Sequence, residues 1–172
     1  MRKSSCCQIH TCDNWVNTYK NSGIEKAAKD AGAKVVPANS ETYYQAIEIP
    51  GGVKLKSAKV HEVLLETDVF INVPILKDHN STRMTCCLKN NMGIVWDRGY
   101  WHSHNLHQCI ADYALFEKKP ALNVIDCYNV MVKHGPQGVS REDIVQMKSQ
   151  ILTADWVAGD AAAAKMLGIS PD

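Results

Sequence analysis

The sequence predicts an α/β fold, a layered and mostly parallel sheet flanked by helices. Three observations carry that expectation. Runs of β-branched and aromatic residues alternate along the chain with segments of helical composition, the order that puts crossover helices between parallel strands. Two of the apolar runs, residues 69–74 and 121–126, are nearly continuous, as strands buried on both faces are. Gly32, Gly93, Pro120 and Gly168 stand where helical segments must stop.

Taken in order, residues 1–22 show no period of either kind and read as an irregular segment, leaving residues 23–172 as a single α/β domain. Residues 23–31 are rich in helix formers, Gly32 suits a left-handed cap, and Lys34-Val35-Val36-Pro37 starts a strand. Residues 41–59 alternate loosely around Pro50-Gly51-Gly52, an extended excursion with a turn in its middle. A short amphipathic piece over 60–66 leads into the buried strand at 69–74. Residues 75–83 read as a polar loop, with Ser81 or Thr82 capping a helix over 84–92 that Gly93 ends. A second helix over 104–117 has an apolar face of Leu106, Ile110, Tyr113 and Ala114 and stops at Lys118-Lys119-Pro120. Strands follow at 121–126 and 150–153, with a Gly/Pro loop between them. Asp155 caps a last helix over 156–167, closed by Gly168.

Composition narrows the function. The 172 residues suit one domain or a piece of one, and 45% apolar with 22% charged residues excludes disordered, collagen-like and coiled-coil classes. Nineteen Lys and Arg against 18 Asp and Glu leave a net charge of +1, so no global field draws in nucleic acid or an anionic membrane. Seven cysteines fall below the roughly 8–10% of a disulfide scaffold, and their odd number leaves a thiol unpaired. No apolar stretch follows Met1-Arg2-Lys3 and none elsewhere is long enough to span a bilayer. The expectation is a reducing, cytoplasmic setting.

In open α/β sheets ligands bind beyond the carboxyl ends of the strands, because loops there vary while the sheet holds them. That rule selects Lys77, Asp78, His79 and Arg83 after the first buried strand, His134-Gly135-Pro136-Gln137-Gly138 after the second, and Asp155 after the third; parallel strands would turn all three loops to one crevice. Lys77, His79 and Lys89 are the catalytic candidates: a lysine in a dry pocket can act as base or nucleophile, and histidine is poised near neutral pH. Arg83, Asn90, Gly135, Gly138 and Asp155 are candidates for holding a small anion, with solvated lysines and a plain tight turn as the structural alternative. His102, His104 and His107 form the densest ligand cluster, suited to zinc, nickel or iron(II), although their spacing matches no strong zinc signature. Cys86, Cys87, Cys109 and Cys127 fall where a thiol packs as a small hydrophobe, and Cys6, Cys7 and Cys12 lack the spacing of an iron–sulfur site. No iron–sulfur cluster is expected in this chain.

Several blocks together resemble a known family. Ile71-Asn72-Val73-Pro74-Ile75-Leu76-Lys77-Asp78-His79, then Thr85-Cys86-Cys87-Leu88-Lys89-Asn90-Asn91-Met92-Gly93, resemble the hallmark of domain-of-unknown-function family 362. Ile110-Ala111-Asp112, Ile125-Asp126, Gly135-Pro136-Gln137-Gly138 and the run from Ala154 to Ala161 are similar to its later blocks, in collinear order over about residues 60–172. The resemblance implies a bacterial or archaeal protein associated with iron–sulfur or ferredoxin-linked partners, and an upstream strand and helix ahead of residue 23. It also adds His102, Asp112 and Asp155 to the site.

The leading expectation is therefore a domain that binds a small anionic substrate or cofactor in a crevice lined by Lys, His and Asp. An alternative is a metal-binding or electron-transfer module that works with a ferredoxin-like partner, and a third is an inactive remnant of a truncated gene. An open sheet edge would invite a homodimer. The reaction type does not follow from the residues.

Overall fold

Strand pairing begins early in the chain. In the computed structural model, which describes residues 5–7 and 15–171, β1 (Ser5–Cys7) pairs in parallel with β2 (Lys34–Val36), and two helices, α1 (Trp15–Ser22) and α2 (Ile24–Asp30), lie between them in sequence. The irregular reading of residues 1–22 is therefore corrected within that segment: three strand residues and an eight-residue helix are too short to print a period. Tyr19, 2% exposed, fixes α1 by reaching the Val36 carbonyl at 3.5 Å. Gly32 takes the left-handed conformation expected of it, with φ of 79°.

The excursion around Pro50 is an antiparallel hairpin of β3 (Tyr44–Glu48) and β4 (Ser57–His61), followed by the one-turn helix α3 (Glu62–Glu66). Gly52 is required at its turn, because a Cβ there would lie 2.1 Å from the Leu55 carbonyl oxygen. The hairpin, α3 and two later helices, α5 (Arg98–Ser103) and α6 (Leu106–Tyr113), enclose one core centred on Val60, Val95, Trp101 and Cys109; α4 (Cys87–Asn90) precedes them in the chain.

The main sheet is mixed. Its centre is β8 (Leu122–Met131), which runs parallel to β5 (Ile71–Asn72) and β6 (Ile75–His79) on one side. At the edges, β7 (Arg83–Thr85) is antiparallel to β6, and β9 (Ile144–Thr153) is antiparallel to β8. One face packs under α7 (Trp156–Met166), burying Leu76, Ile125, Cys127, Val130 and Ala163 in a second core. Gly159 lets that helix sit close, since a Cβ there would meet Thr153 Cγ2 at 2.9 Å and Cys87 Sγ at 3.2 Å.

Four local readings differ from the expectation. Residues 75–83 are strand and turn rather than loop, because backbone pairing with β8 overrides the polarity of Lys77, Asp78 and His79. The helix expected over 84–92 is the end of β7, then the single turn of α4, then a 3₁₀ turn over Asn91–Ile94. The helix expected over 104–117 is two helices meeting at Asn105, whose φ of 79° breaks the path. The run 69–74 is not buried on both faces: Asn72 and Pro74 are buried, while Ile71, Val73 and Ile75 are 52, 61 and 52% exposed. No helix among the described residues is long and apolar enough to cross a membrane.

Candidate functional site

The C-terminal end of β6 brings the sequence candidates together. Lys77 and His79, two residues apart on a strand, share one side of it, and the β6–β7 register sets Lys77 across from Thr85 and His79 across from Arg83. Arg83 enters β7 with φ of 62°, a strained value for a side chain of its size. Asp78, His79, Asn80 and Arg83, with Val132, Leu167 and Ile169, line a cleft of about 270 Å³.

Lys89 reaches the same neighbourhood from α4, a helix too short to hold itself in place. Side chains from three other segments hold it. Asp160 on α7 accepts from the backbone N–H groups of Cys87 and Leu88 at 2.6 and 3.2 Å, doing for α4 what a local cap would do. Buried Asn72 donates to the Cys87 carbonyl at 3.2 Å and to Asn123 Oδ1 at 2.9 Å, while Asn90 donates to Asn72 Oδ1 at 2.7 Å. Asn91 donates to the Cys87 carbonyl at 2.8 Å. Asn90, a binding candidate by sequence, thus serves the scaffold that presents Lys89.

Charge sets the chemistry of this cluster. Burial, then the positive charges of Lys89, Lys77 and His102, lower the His79 pKa from 6.5 to about 4. The imidazole is neutral at pH 7, and its Nδ1 accepts from the Ser81 N–H at 3.1 Å, which leaves the proton on Nε2. His79 is accordingly a hydrogen-bond donor through Nε2, not a ready base or a metal ligand through that atom. Burial and Lys77 hold the Lys89 ammonium below the usual lysine value of 10.5. Neither Lys77, Arg83 nor Lys89 has a carboxylate within ion-pair reach among the described residues, in contrast to Lys26, Lys29 and Lys59, each of which is paired with an acid. Thr85 Oγ1, across from Lys77, is buried without a hydrogen-bond partner.

The second strand-end loop docks on the first. Gly135 N–H donates to Asp78 Oδ2 at 2.8 Å, and Asn80 N–H donates to the Gly135 carbonyl at 3.2 Å. Only glycine fits at 135, where a Cβ would sit 1.8 Å from the Asp78 carbonyl oxygen. Gly138, with φ of 75°, closes the turn. Sequence reasoning missed a pair in this loop. His134 Nδ1 lies 2.8 Å from Asp143 Oδ1, while Asp143 Oδ2 accepts from the Val139 and Ser140 N–H groups at 2.6 and 3.0 Å. Those backbone bonds and His134 hold the Asp143 pKa at about 2. The turn residues between them were the visible signal; the partner nine residues away was not.

Other candidates lie elsewhere. Asp155 caps α7, accepting from Val157 and Ala158 N–H at 2.9 and 3.0 Å. Because β9 runs antiparallel to β8, Thr153 lies beside Asn123 at the start of β8, and Asp155 is at the opposite end of the sheet from His79. Asp112 is 2% exposed and braces the hairpin, accepting from Lys54 and Leu55 N–H at 2.6 and 2.8 Å and from Gln108 at 2.8 Å. Burial alone would raise its pKa, but the bonds from Leu55, Val53, Gln108 and Lys54 outweigh it and hold the value at about 2.

The three histidines do not converge. His102 is near His79, His104 stacks on Tyr100 at 4.0 Å, and His107 is exposed on α6. Among the described residues the grouping with metal-ligand reach is instead Cys86, Cys87 and Asp160. It has the character of packing: Asp160 is engaged by two backbone donors, and hydrogen bonding to Cys87 with burial drives the Cys86 thiol pKa far up, away from the thiolate a metal needs. Cys109 and Cys127 are also buried and free, as expected of core thiols. Cys12 lies outside the described residues.

The fold and site together define an α/β domain with a cationic crevice at the carboxyl ends of two parallel strands. Residues 3–165 match the family described as Domain of unknown function (DUF362), and the chain belongs to that family. The match takes in most of the N-terminal segment as well as the blocks that carried the resemblance. No curated protein and no solved structure matches the chain.

Proposed function

We propose that this domain binds a small carboxylate- or phosphate-bearing molecule in the crevice at the end of β6, with Lys77, Lys89 and Arg83 as its cationic contacts. The observation that carries the reading is the set of three cations without acidic partners, gathered where the fold presents ligands. His79, neutral and donating through Nε2, adds a hydrogen bond without adding charge, and Thr85 Oγ1 offers another. His102 extends the cluster from α5. The larger hollow of about 470 Å³ beside the hairpin suits an anion less well, because its Lys59 pairs with Glu41 and its Lys56 with the Gly52 carbonyl.

Calorimetric titration with phosphate, pyrophosphate, oxalate and pyruvate tests the reading. At least one of them binds the native chain, and Lys77→Gln or Lys89→Gln weakens it tenfold or more, since a charge-assisted hydrogen bond contributes about 1.5–3 kcal/mol. Equal binding by native and substituted chains would sink it.

A further inference from the structure

Lys89 differs from the other cations of the crevice in how it is held. Its helix is fastened by Asp160, Asn72, Asn90 and Asn91, so the amine is presented from a fixed element rather than a flexible loop. It is half-buried, has no acceptor among the described residues, and stands next to a second cation, Lys77. A desolvated lysine beside another positive charge is the arrangement that yields a nucleophilic amine at neutral pH.

From this placement we infer that Lys89 forms an imine with a carbonyl group of the bound anion, so that the ligand class is an anionic aldehyde or ketone, such as a 2-oxo acid or an aldehyde phosphate. The inference rests on the anion-binding reading and specifies its substrate. In the step, neutral Nζ forms a C–N bond to the carbonyl carbon, and the carbonyl oxygen leaves as water with one proton from the amine and one from the medium. The product is a protonated imine that keeps the positive charge. Lys77 and Arg83 bind the carboxylate or phosphate, and the Nε2–H of His79 is available to the carbonyl oxygen.

The lowered pKa of Lys89 agrees with this role. The titratable groups on elements packed against α4 are Asp160 and Lys165 on α7, His107, Cys109, Asp112 and Tyr113 on α6, and Arg83 on β7, with Lys77 on β6 as the charge that acts on Lys89.

Borohydride trapping with pyridoxal 5′-phosphate, an anionic aldehyde, tests the inference on the full chain. Peptide mapping by mass spectrometry is expected to find the reduced adduct concentrated on Lys89, with inorganic phosphate protecting against it. Lys89→Arg is expected to lose that adduct while still binding phosphate, and Lys77→Gln to move the pH midpoint of labelling up by on the order of one unit, as removal of a neighbouring charge does. Labelling spread over exposed lysines with Lys89 not enriched overturns the inference. If phosphate still binds in that case, the imine alone is wrong; if phosphate binding is absent too, the anion reading fails with it. A Lys89→Met variant with native melting behaviour and an undiminished adduct pattern also overturns the imine.

Discussion

His79 carries a pH dependence whose sign is fixed by the direction of its shift. Its pKa is about 4 in the fold and 6.5 when unfolded, so between these values the unfolded chain binds more protons. Its contribution to stability is present above 6.5 and is lost as the pH falls through about 4. Melting temperatures across that window are expected to drop more steeply for the native chain than for His79→Gln, whose amide does not titrate; parallel profiles would show that His79 is not held neutral. Asp112 is a second residue with a single structural duty. Replacing it with alanine strips acceptors from the Lys54 and Leu55 N–H groups and is expected to cost on the order of 3 kcal/mol in urea unfolding. A loss below half of that would mean that water or a neighbour takes over those bonds.

At the scale of elements, α4 is where distant parts of the chain decide local structure. Asp160→Ala leaves the Cys87 and Leu88 N–H groups uncapped and is expected to cost about 1–2 kcal/mol. Gly159→Ala would press a Cβ against Thr153, Cys87 and Ile125 and cost about 1–3 kcal/mol as overpacking. Both are also expected to weaken anion binding, because α4 carries Lys89; calorimetry and unfolding on the same samples would separate the two effects. These long-range dependences explain which elements could be read from the sequence. The Asp155 cap, the Gly32 and Gly168 stops and the turn at Pro50 are local and were legible. The strand Ile75–His79 was not, because its polar residues gain their strand geometry from pairing with β8. The start of α4 was not, because its cap lies on Asp160, more than seventy residues along the chain. The site followed the same division: Lys77, His79, Lys89 and Arg83 were identified by their strand-end position, whereas Asp155 was misplaced because the antiparallel direction of β9 leaves no trace in the residues of that strand.

For the whole molecule, the mixed sheet is covered on one face by α7, while Ile71, Val73, Ile75 and Leu152 remain 52–61% exposed on others of its residues. If that surface faces water in the isolated chain, Ile71→Thr and Val73→Thr are expected to change stability by no more than about 0.5 kcal/mol; a loss several times larger would mean that the surface is covered in solution. The cationic crevice at the other end of the argument is built from β6, β7 and α4 and gains its loop from β8, so a ligand there would bridge elements that are far apart in sequence. A crystal soaked in pyrophosphate tests this account most directly. It predicts an anion within hydrogen-bond distance of both Lys77 Nζ and Lys89 Nζ, and an empty crevice at saturating pyrophosphate, or an anion bound at another surface, would contradict it.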